Sequence, residues 1–168
     1  EIQKHVYVEK EFKDSWLEMN EFGDSYIEEE LQGGYGYSYD DQYLEIFFNS
    51  GGKIELYNYS IKKDNLIISG EMIPPATIRL VHPHLENVTS EGEIIHELGH
   101  YIDEKYHFSS SKQFIKLYKE NKPLFKQKTK KEYFAECFKE YVGNHQEKVK
   151  PFQSNMETIT KKIRQNNK

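Results

Sequence analysis

The sequence predicts an α+β fold in which an N-terminal helix and a small, mostly antiparallel sheet come before a helical C-terminal lobe. The first observation is that β-rich runs are concentrated between residues 43 and 81. The second is that apolar residues recur at helical spacing from Glu91 onward. The third is the length of 168 residues, which suits one domain. We therefore predict a single domain over 1–168, with lobes at about 1–105 and 106–168.

The first half of the chain predicts one helix and four strands. Apolar residues at helical spacing indicate a helix over 11–31, and the glycine-rich segment 33–36 ends it. Runs of β-branched and aromatic residues predict strands over 43–48, 53–59, 66–69 and 77–81. The segment 49–52 reads Asn-Ser-Gly-Gly, so we expect the first two strands to form a hairpin. Pro74 and Pro75 separate the last two strands.

The second half of the chain has a helical texture. It predicts helices over about 91–105, 111–121, 131–143 and 152–165. Ser111, Pro123 and Gly143 mark the breaks between them. Strands in one half and helices in the other are typical of the α+β class.

Composition excludes several classes of protein. Aromatic residues make up 14% of the chain, which argues against disorder. The apolar runs are too short to span a membrane. Residues 1–60 carry 14 acidic and 4 basic side chains, so we expect no nucleic-acid partner. The lone Cys137 excludes an intrachain disulfide and any multi-cysteine metal site.

One predicted helix carries a metal-ligand pattern, His96-Glu97-Leu98-Gly99-His100. The two histidines are four residues apart, so a helix places them one turn apart on the same face. Two imidazoles in that arrangement can bind one Zn²⁺ ion. Glu97 lies about 100° further round the helix, where its carboxylate can take a proton from water activated by the metal. The pattern predicts zinc bound by His96 and His100, with Glu97 as the catalytic base.

A catalytic zinc also needs a third protein ligand. Glu132 and Glu136 are four residues apart on one face of a later helix, where two half-buried acids need a positive charge to neutralise them. We expect one to bind the metal and the other to hydrogen-bond a ligand imidazole, and the spacing does not rank them. The alternative is that both are surface charges paired with Lys130 or Lys139 on an exposed helix. Asp103 lies three residues after His100 on the ligand face. It would either orient an imidazole or cap polar groups.

Two segments carry a family resemblance: residues 89–103, which include the histidine pair, and the motif Glu-Tyr-Phe-Ala-Glu at 132–136. They resemble the catalytic domain of anthrax lethal factor and its relatives, which include the secreted bacterial Pro-Pro endopeptidases. The resemblance covers about residues 70–168. It implies a zincin-like fold, with Glu132 as the third zinc ligand and Glu136 supporting a ligand imidazole.

The resemblance also implies a function. We expect a zinc-dependent endopeptidase that hydrolyses peptide bonds in a protein or peptide substrate. We further expect a secreted, toxin-like monomer whose signal peptide is absent from this sequence.

One position departs from the family. The family places a tyrosine seven residues before the glutamate ligand, and its hydroxyl is thought to stabilise the oxyanion. That position is Phe125 in this sequence, and a phenylalanine cannot donate a hydrogen bond. Losing one such donor costs about 10²–10³ in turnover. We expect weak hydrolysis unless Tyr118 or Tyr133 takes over the role through a shifted loop.

The resemblance suggests how a substrate is held. An extended peptide would add to an exposed sheet edge, for which the strand at 77–81 is the candidate. The segment 33–39, which alternates small and aromatic residues, could form a flap over the cleft or simply pack on the sheet.

Two other functions agree with part of the sequence. The first is a lethal-factor-like binding module that is weakly active or inactive, which Phe125 favours. The second is an intracellular regulatory metalloprotease of the phage-repressor-cleaving type, which often carries His-Glu-Leu-Gly-His. Such proteins lack the Glu-Tyr-Phe-Ala-Glu segment at this spacing, so we rank this function last.

Overall fold

The computed structural model describes residues 6–8, 37–38, 40–57, 61–68, 70–81, 92–126 and 129–167. The predicted N-terminal helix at 11–31 lies outside these residues, as does most of the predicted flap at 33–39. No helix within the described ranges is both long and apolar enough to cross a membrane.

Five α-helices are described, and the last four match the helices predicted for the second half of the chain. They are α1 (Gln42–Asn49), α2 (Glu93–Tyr106), α3 (Lys112–Glu120), α4 (Lys130–Val142) and α5 (Gln153–Asn166). Two of them begin at side-chain caps. Ser111 accepts a hydrogen bond from the backbone N–H of Phe114, and Thr129 accepts one from that of Glu132.

The six described strands form a four-stranded sheet and a separate hairpin. They are β1 (Val6–Val8), β2 (Lys53–Tyr57), β3 (Ile61–Lys63), β4 (Leu66–Ile68), β5 (Gly70–Ile73) and β6 (Thr77–Val81). The larger sheet has the order β1-β2-β6-β5. The pairs β1–β2 and β2–β6 are parallel, and β5–β6 is antiparallel. The α+β class is confirmed, but the expectation of a mostly antiparallel sheet is wrong.

The segment 43–48 is helical, so the predicted strand and hairpin there are wrong. Its apolar residues satisfy a helical period as well as an extended one, because Tyr43, Leu44, Ile46 and Phe47 all become buried on one side of α1. The glycines at 51 and 52 end this helix. Gly51 has a φ of 84°, and the N–H of Gly52 donates to the carbonyl of Phe47.

The sequence interpretation missed three of the described strands, β1, β3 and β5. The predicted strand at 66–69 is β4, and it pairs with β3 through a two-residue turn. Asp64 and Asn65 in that turn have φ values of 50° and 63°, the backbone that a tight hairpin requires. β5 pairs with β6 through the Pro74-Pro75 turn, so β6 lies inside the sheet and β5 lies at its edge among the described strands.

The core lies between the sheet, α2 and the C-terminal helices. Its largest fully buried side chains include Phe47, Ile54, Ile78, Leu80, Ile94, Phe114, Tyr133, Phe134, Phe138 and Phe152. At the centre, α2 packs along α4. Gly99 permits this approach, since a Cβ atom there would lie 3.0 Å from the Cα atom of Ala135. The polar face of α2 is thereby brought against that of α4.

Candidate metal centre

The two histidines of α2 lie on the face that meets α4. Their ring centroids are 4.9 Å apart, and their side chains are 12% and 16% exposed. The opposite face of α2 is apolar and fully buried through Ile94, Ile95, Leu98 and Ile102. This amphipathic pattern sets the rotation of α2 about its axis, and so fixes where His96 and His100 point.

Glu132, from the first turn of α4, closes the group. Its Oε2 atom lies 3.1 Å from Nε2 of His96, and its Oε1 atom lies 3.0 Å from Nε2 of His100. One ligand atom from each of the three side chains lies within 4.8 Å of the other two. Tetrahedral zinc with bonds of 2.0–2.1 Å separates its ligands by about 3.3 Å. Small side-chain rotations would therefore bring these three donors around one ion.

The charges of the group are strongly coupled. Burial lowers the pKa of His96, but the contact of its Nε2 atom with Glu132, the ion-pair contact of its Nδ1 atom with Glu136 and the charge of Glu97 outweigh burial and raise the pKa to about 10. Contacts with His100 and His96 hold the pKa of Glu132 well below its usual range. Metal-free, the cluster therefore holds a protonated imidazole beside an ionised carboxylate.

Glu97 follows His96 and is 3% exposed. Burial raises the pKa of its carboxyl well above the usual range, although the charge of His96 opposes the shift. Its Oε2 atom is buried and makes no hydrogen bond within the described part of the chain. A carboxyl group with a raised pKa and a spare oxygen is suited to accepting a proton near neutral pH.

Glu136 contacts the ring nitrogen of His96 that does not face Glu132, whereas Asp103 contacts Ser109. Oε1 of Glu136 is 2.8 Å from Nδ1 of His96, an ion-pair contact in which the ring N–H is poorly aligned for a hydrogen bond. Both carboxylate oxygens of Asp103 are taken by Ser109, accepting from its N–H and its hydroxyl at 2.7 Å each. Asp103 was expected either to orient an imidazole or to cap polar groups, and these contacts are those of a residue that caps polar groups.

Tyr118 of α3 and Phe125 of the segment before α4 both pack against Tyr133 of α4. The ring of Phe125 is 5.0 Å from that of Tyr133, and the ring of Tyr118 is 5.1 Å from it on another side. Tyr133 is fully buried, and its hydroxyl donates to the carbonyl of Asn121. That hydroxyl is therefore engaged within the protein.

A cleft of about 390 Å³ opens beside the cluster. It is lined by Glu97, His100 and Glu132 on the helices and by Gly70 to Met72 of β5. The expectation that 77–81 forms the edge is wrong, because β6 is paired on both sides and β5 borders the cleft.

The sequence interpretation missed Thr129 and Lys131, which also line the cleft, because no spacing rule links them to the histidine motif. Lys139 was a possible partner of the two glutamates on an exposed helix. It does contact Glu136, since residues three apart meet on a helix, but both side chains are mostly buried.

The edge of a mixed sheet borders a helix that carries two histidines, and a glutamate from a second helix contacts both of them. This arrangement defines a zincin-like α+β domain. A comparison with family models matches residues 58–152 to the anthrax toxin lethal factor family, described as its N- and C-terminal domain. The match covers more than half of the chain. The chain belongs to this family, and the predicted relationship is confirmed.

The fold has a counterpart among solved structures. It matches the structure of the Pro-Pro endopeptidase PPEP-2 from Paenibacillus alvei with a TM-score of 0.57. The match covers 95% of this chain and 98% of that one, at 16% sequence identity. At that identity the likeness concerns the fold. No curated protein sequence gives a significant match.

Proposed function

We propose that this protein is a zinc-dependent endopeptidase. The observation that carries the proposal is that His96, His100 and Glu132 converge on one point. That point lies beside a cleft lined by His100, Glu132 and Glu97. Two imidazole nitrogens and one carboxylate form a common donor set for catalytic zinc. Membership of the lethal factor family and the fold of the Pro-Pro endopeptidase support the same function.

The residues divide the chemistry between them. His96, His100 and Glu132 would hold the ion, which supplies Lewis acidity that makes water easier to deprotonate and a carbonyl carbon easier to attack. Glu97 takes a proton from the attacking water at its carboxylate. When the C–N bond breaks, Glu97 returns that proton to the departing amine nitrogen, so the carboxylate ends as it began.

The substrate we propose is an extended segment of a protein or peptide, bound beside β5. An edge strand offers backbone N–H and carbonyl groups that can pair with such a segment. The fold match makes proline-rich peptides the first class to test. We propose that the protein acts as a secreted enzyme, which the family resemblance supports.

Cleavage of a peptide library tests this function. Metal-free protein is loaded with one equivalent of Zn²⁺ and incubated with peptides that include Pro-Pro bonds, and products are identified by mass spectrometry. We expect cleavage by the loaded protein, loss of cleavage on chelation, and recovery when zinc is restored. Glu97→Gln should lose cleavage and keep its zinc content. Equal cleavage by Glu97→Gln would overturn the mechanism.

A binding module is the second candidate. The observation that favours it is the absence of a hydroxyl at Phe125 together with the engagement of the Tyr133 hydroxyl by Asn121. On this alternative, the zinc-loaded protein binds library peptides in a pull-down and leaves every one uncut. Cleavage at a defined bond excludes it.

A further inference from the structure

We propose that Lys139 is a positioning residue for the metal centre, holding Glu136 in the orientation from which that carboxylate supports the ring of His96. This inference rests on the proposed function, because it gives Lys139 a part in the same site. Lys139 contacts Glu136, which in turn contacts the ligand His96, so Lys139 lies one contact further from the ion than Glu136 does.

The first support is an unbroken line of contacts. Nζ of Lys139 lies 3.0 Å from Oε2 of Glu136, and the other oxygen of that carboxylate lies 2.8 Å from Nδ1 of His96. A carboxylate with one oxygen on an ammonium group and the other on an imidazole has little freedom to rotate. Nε2 of the same imidazole faces Glu132.

The second support is burial. The side chains of Lys139 and Glu136 are only 13% and 14% exposed. Exposed pairs of this kind contribute little, but a carboxylate that is mostly shielded from water depends more on its partner, because little water can replace that partner. Lys139 therefore holds one oxygen of the Glu136 carboxylate in place while the other oxygen faces His96.

The third support is that Lys139 is itself fixed. Its stem packs so closely on Gly92, the residue before α2, that a Cβ atom there would lie 2.9 Å from Cδ of Lys139. Its Nζ lies 5.1 Å from the centre of the Tyr37 ring, a cation–π distance. Nζ is also 3.7 Å from Oε1 of buried Glu140, which accepts a hydrogen bond from the Tyr37 hydroxyl at 2.9 Å.

These contacts give a specific expectation for metal binding. Outer partners of a ligand imidazole fix its orientation and raise its basicity, and their loss typically costs about 10- to 100-fold in metal affinity. Lys139 acts through Glu136, so its effect must depend on a charged carboxylate at position 136.

The experiment measures zinc affinity by competition with a chromophoric chelator, using the whole chain. Lys139→Met keeps the length of the side chain and removes the charge, and Lys139→Arg keeps the charge. Lys148→Met is the matched control. Nζ of Lys148 also lies 3.7 Å from a carboxylate oxygen of Glu140 and 6.0 Å from the centre of the Tyr37 ring, but the carboxylate it pairs with is that of Glu140 and not that of Glu136. Absorption of the Co²⁺-loaded proteins reports the ligand geometry independently of activity.

We expect Lys139→Met to lower zinc affinity about 10-fold or more and to change the Co²⁺ spectrum. Lys139→Arg should recover most of the affinity, and Lys148→Met should stay within about twofold of the parent. In a Glu136→Gln background the further change Lys139→Met should have little effect, since residues of one network are not additive. If Lys139→Met does not fold, Lys139→Met with Glu140→Gln is compared with Glu140→Gln alone.

Unchanged zinc affinity and an unchanged Co²⁺ spectrum in folded Lys139→Met would overturn the inference and leave the proposed function standing. If Lys139→Met lowered zinc affinity by the same factor in the parent and in the Glu136→Gln background, the inference would also be overturned, because Lys139 would then act by another route. Failure of the parent protein to bind zinc would overturn the proposed function itself.

Discussion

Gly99 of α2 lies in backbone contact with Ala135 of α4. A Cβ atom at Gly99 would be 3.0 Å from the Cα atom and 3.3 Å from the carbonyl oxygen of Ala135. Because these neighbours are backbone atoms, they cannot rotate away. The distance between the histidines and Glu132 thus depends on a residue that has no side chain.

Gly99→Val should therefore separate the two helices. We expect a loss of about 1–3 kcal/mol in the free energy of unfolding, as for other overpacked cores, together with weaker zinc binding. Urea unfolding of the metal-free protein and chelator competition measure the two effects. Lys105→Val, at an exposed position of the same helix, should change either by little. Gly99→Val with unchanged zinc affinity would show that the helix spacing does not set the site.

The contributions of His96 and Glu132 should make the metal-free protein most stable in mildly acidic solution. The folded pKa of His96 is about 10 against an ordinary value of 6.5, so its stabilisation is complete below pH 6.5 and is lost as pH rises toward 10. The pKa of Glu132 is lowered from 4.5, so its stabilisation is complete above that pH and is lost on further acidification. These two groups predict a maximum between about pH 4.5 and 6.5.

Thermal unfolding from pH 4 to pH 10 in the presence of a chelator checks this expectation. His96→Gln should flatten the alkaline side of the profile, because it removes the group whose pKa is raised. An alkaline decline that persists unchanged in His96→Gln would assign the effect to other residues.

Glu132 and Glu136 should differ in what they contribute to metal binding. Glu132→Gln removes a ligand charge and should lower zinc affinity by more than 100-fold, whereas Glu136→Gln should lower it by about 10- to 100-fold. Chelator competition on the folded variants measures both. The reverse order would exchange the roles that the family resemblance gives to the two glutamates.

Phe125→Tyr introduces the hydroxyl that the family resemblance leads us to expect at this position. We expect turnover to rise, by up to the factor of about 10²–10³ that one oxyanion donor supplies, with little change in KM. Steady-state kinetics on the best library peptide measures both constants. Phe125→Leu keeps an apolar side chain without a hydroxyl and should not raise turnover. Equal rates for Phe125→Tyr and the parent would mean that position 125 does not reach the reacting carbonyl.

The sequence predicted the parts of the site that depend on local spacing. His96 and His100 share a helix face because 3.6 residues make one turn, and Glu132 and Glu136 share one for the same reason. Spacing could not rank the two glutamates, since both point to the same side. The ranking came from the family motif, and the contacts of Glu132 with both imidazoles agree with it.

Features that depend on distant partners were harder to predict. The aromatic run at 43–48 fits two periodicities, and only burial against the rest of the core decides for a helix. Parallel pairing of β2 with β6 joins segments more than twenty residues apart, which no turn signal between them announces. The contact between Tyr37 and Glu140 spans 103 positions in the chain and is equally invisible in either local sequence.

Among the described strands β5 lies at the sheet edge, and that position has a cost for the free protein. Unpaired backbone groups at a sheet edge can pair with the same edge of another molecule, which leads to self-association. β5 is only four residues long and carries the acidic Glu71, and short length and charge both disfavour such pairing. The strand that could bind a substrate is thus also protected against pairing with the same strand of another molecule.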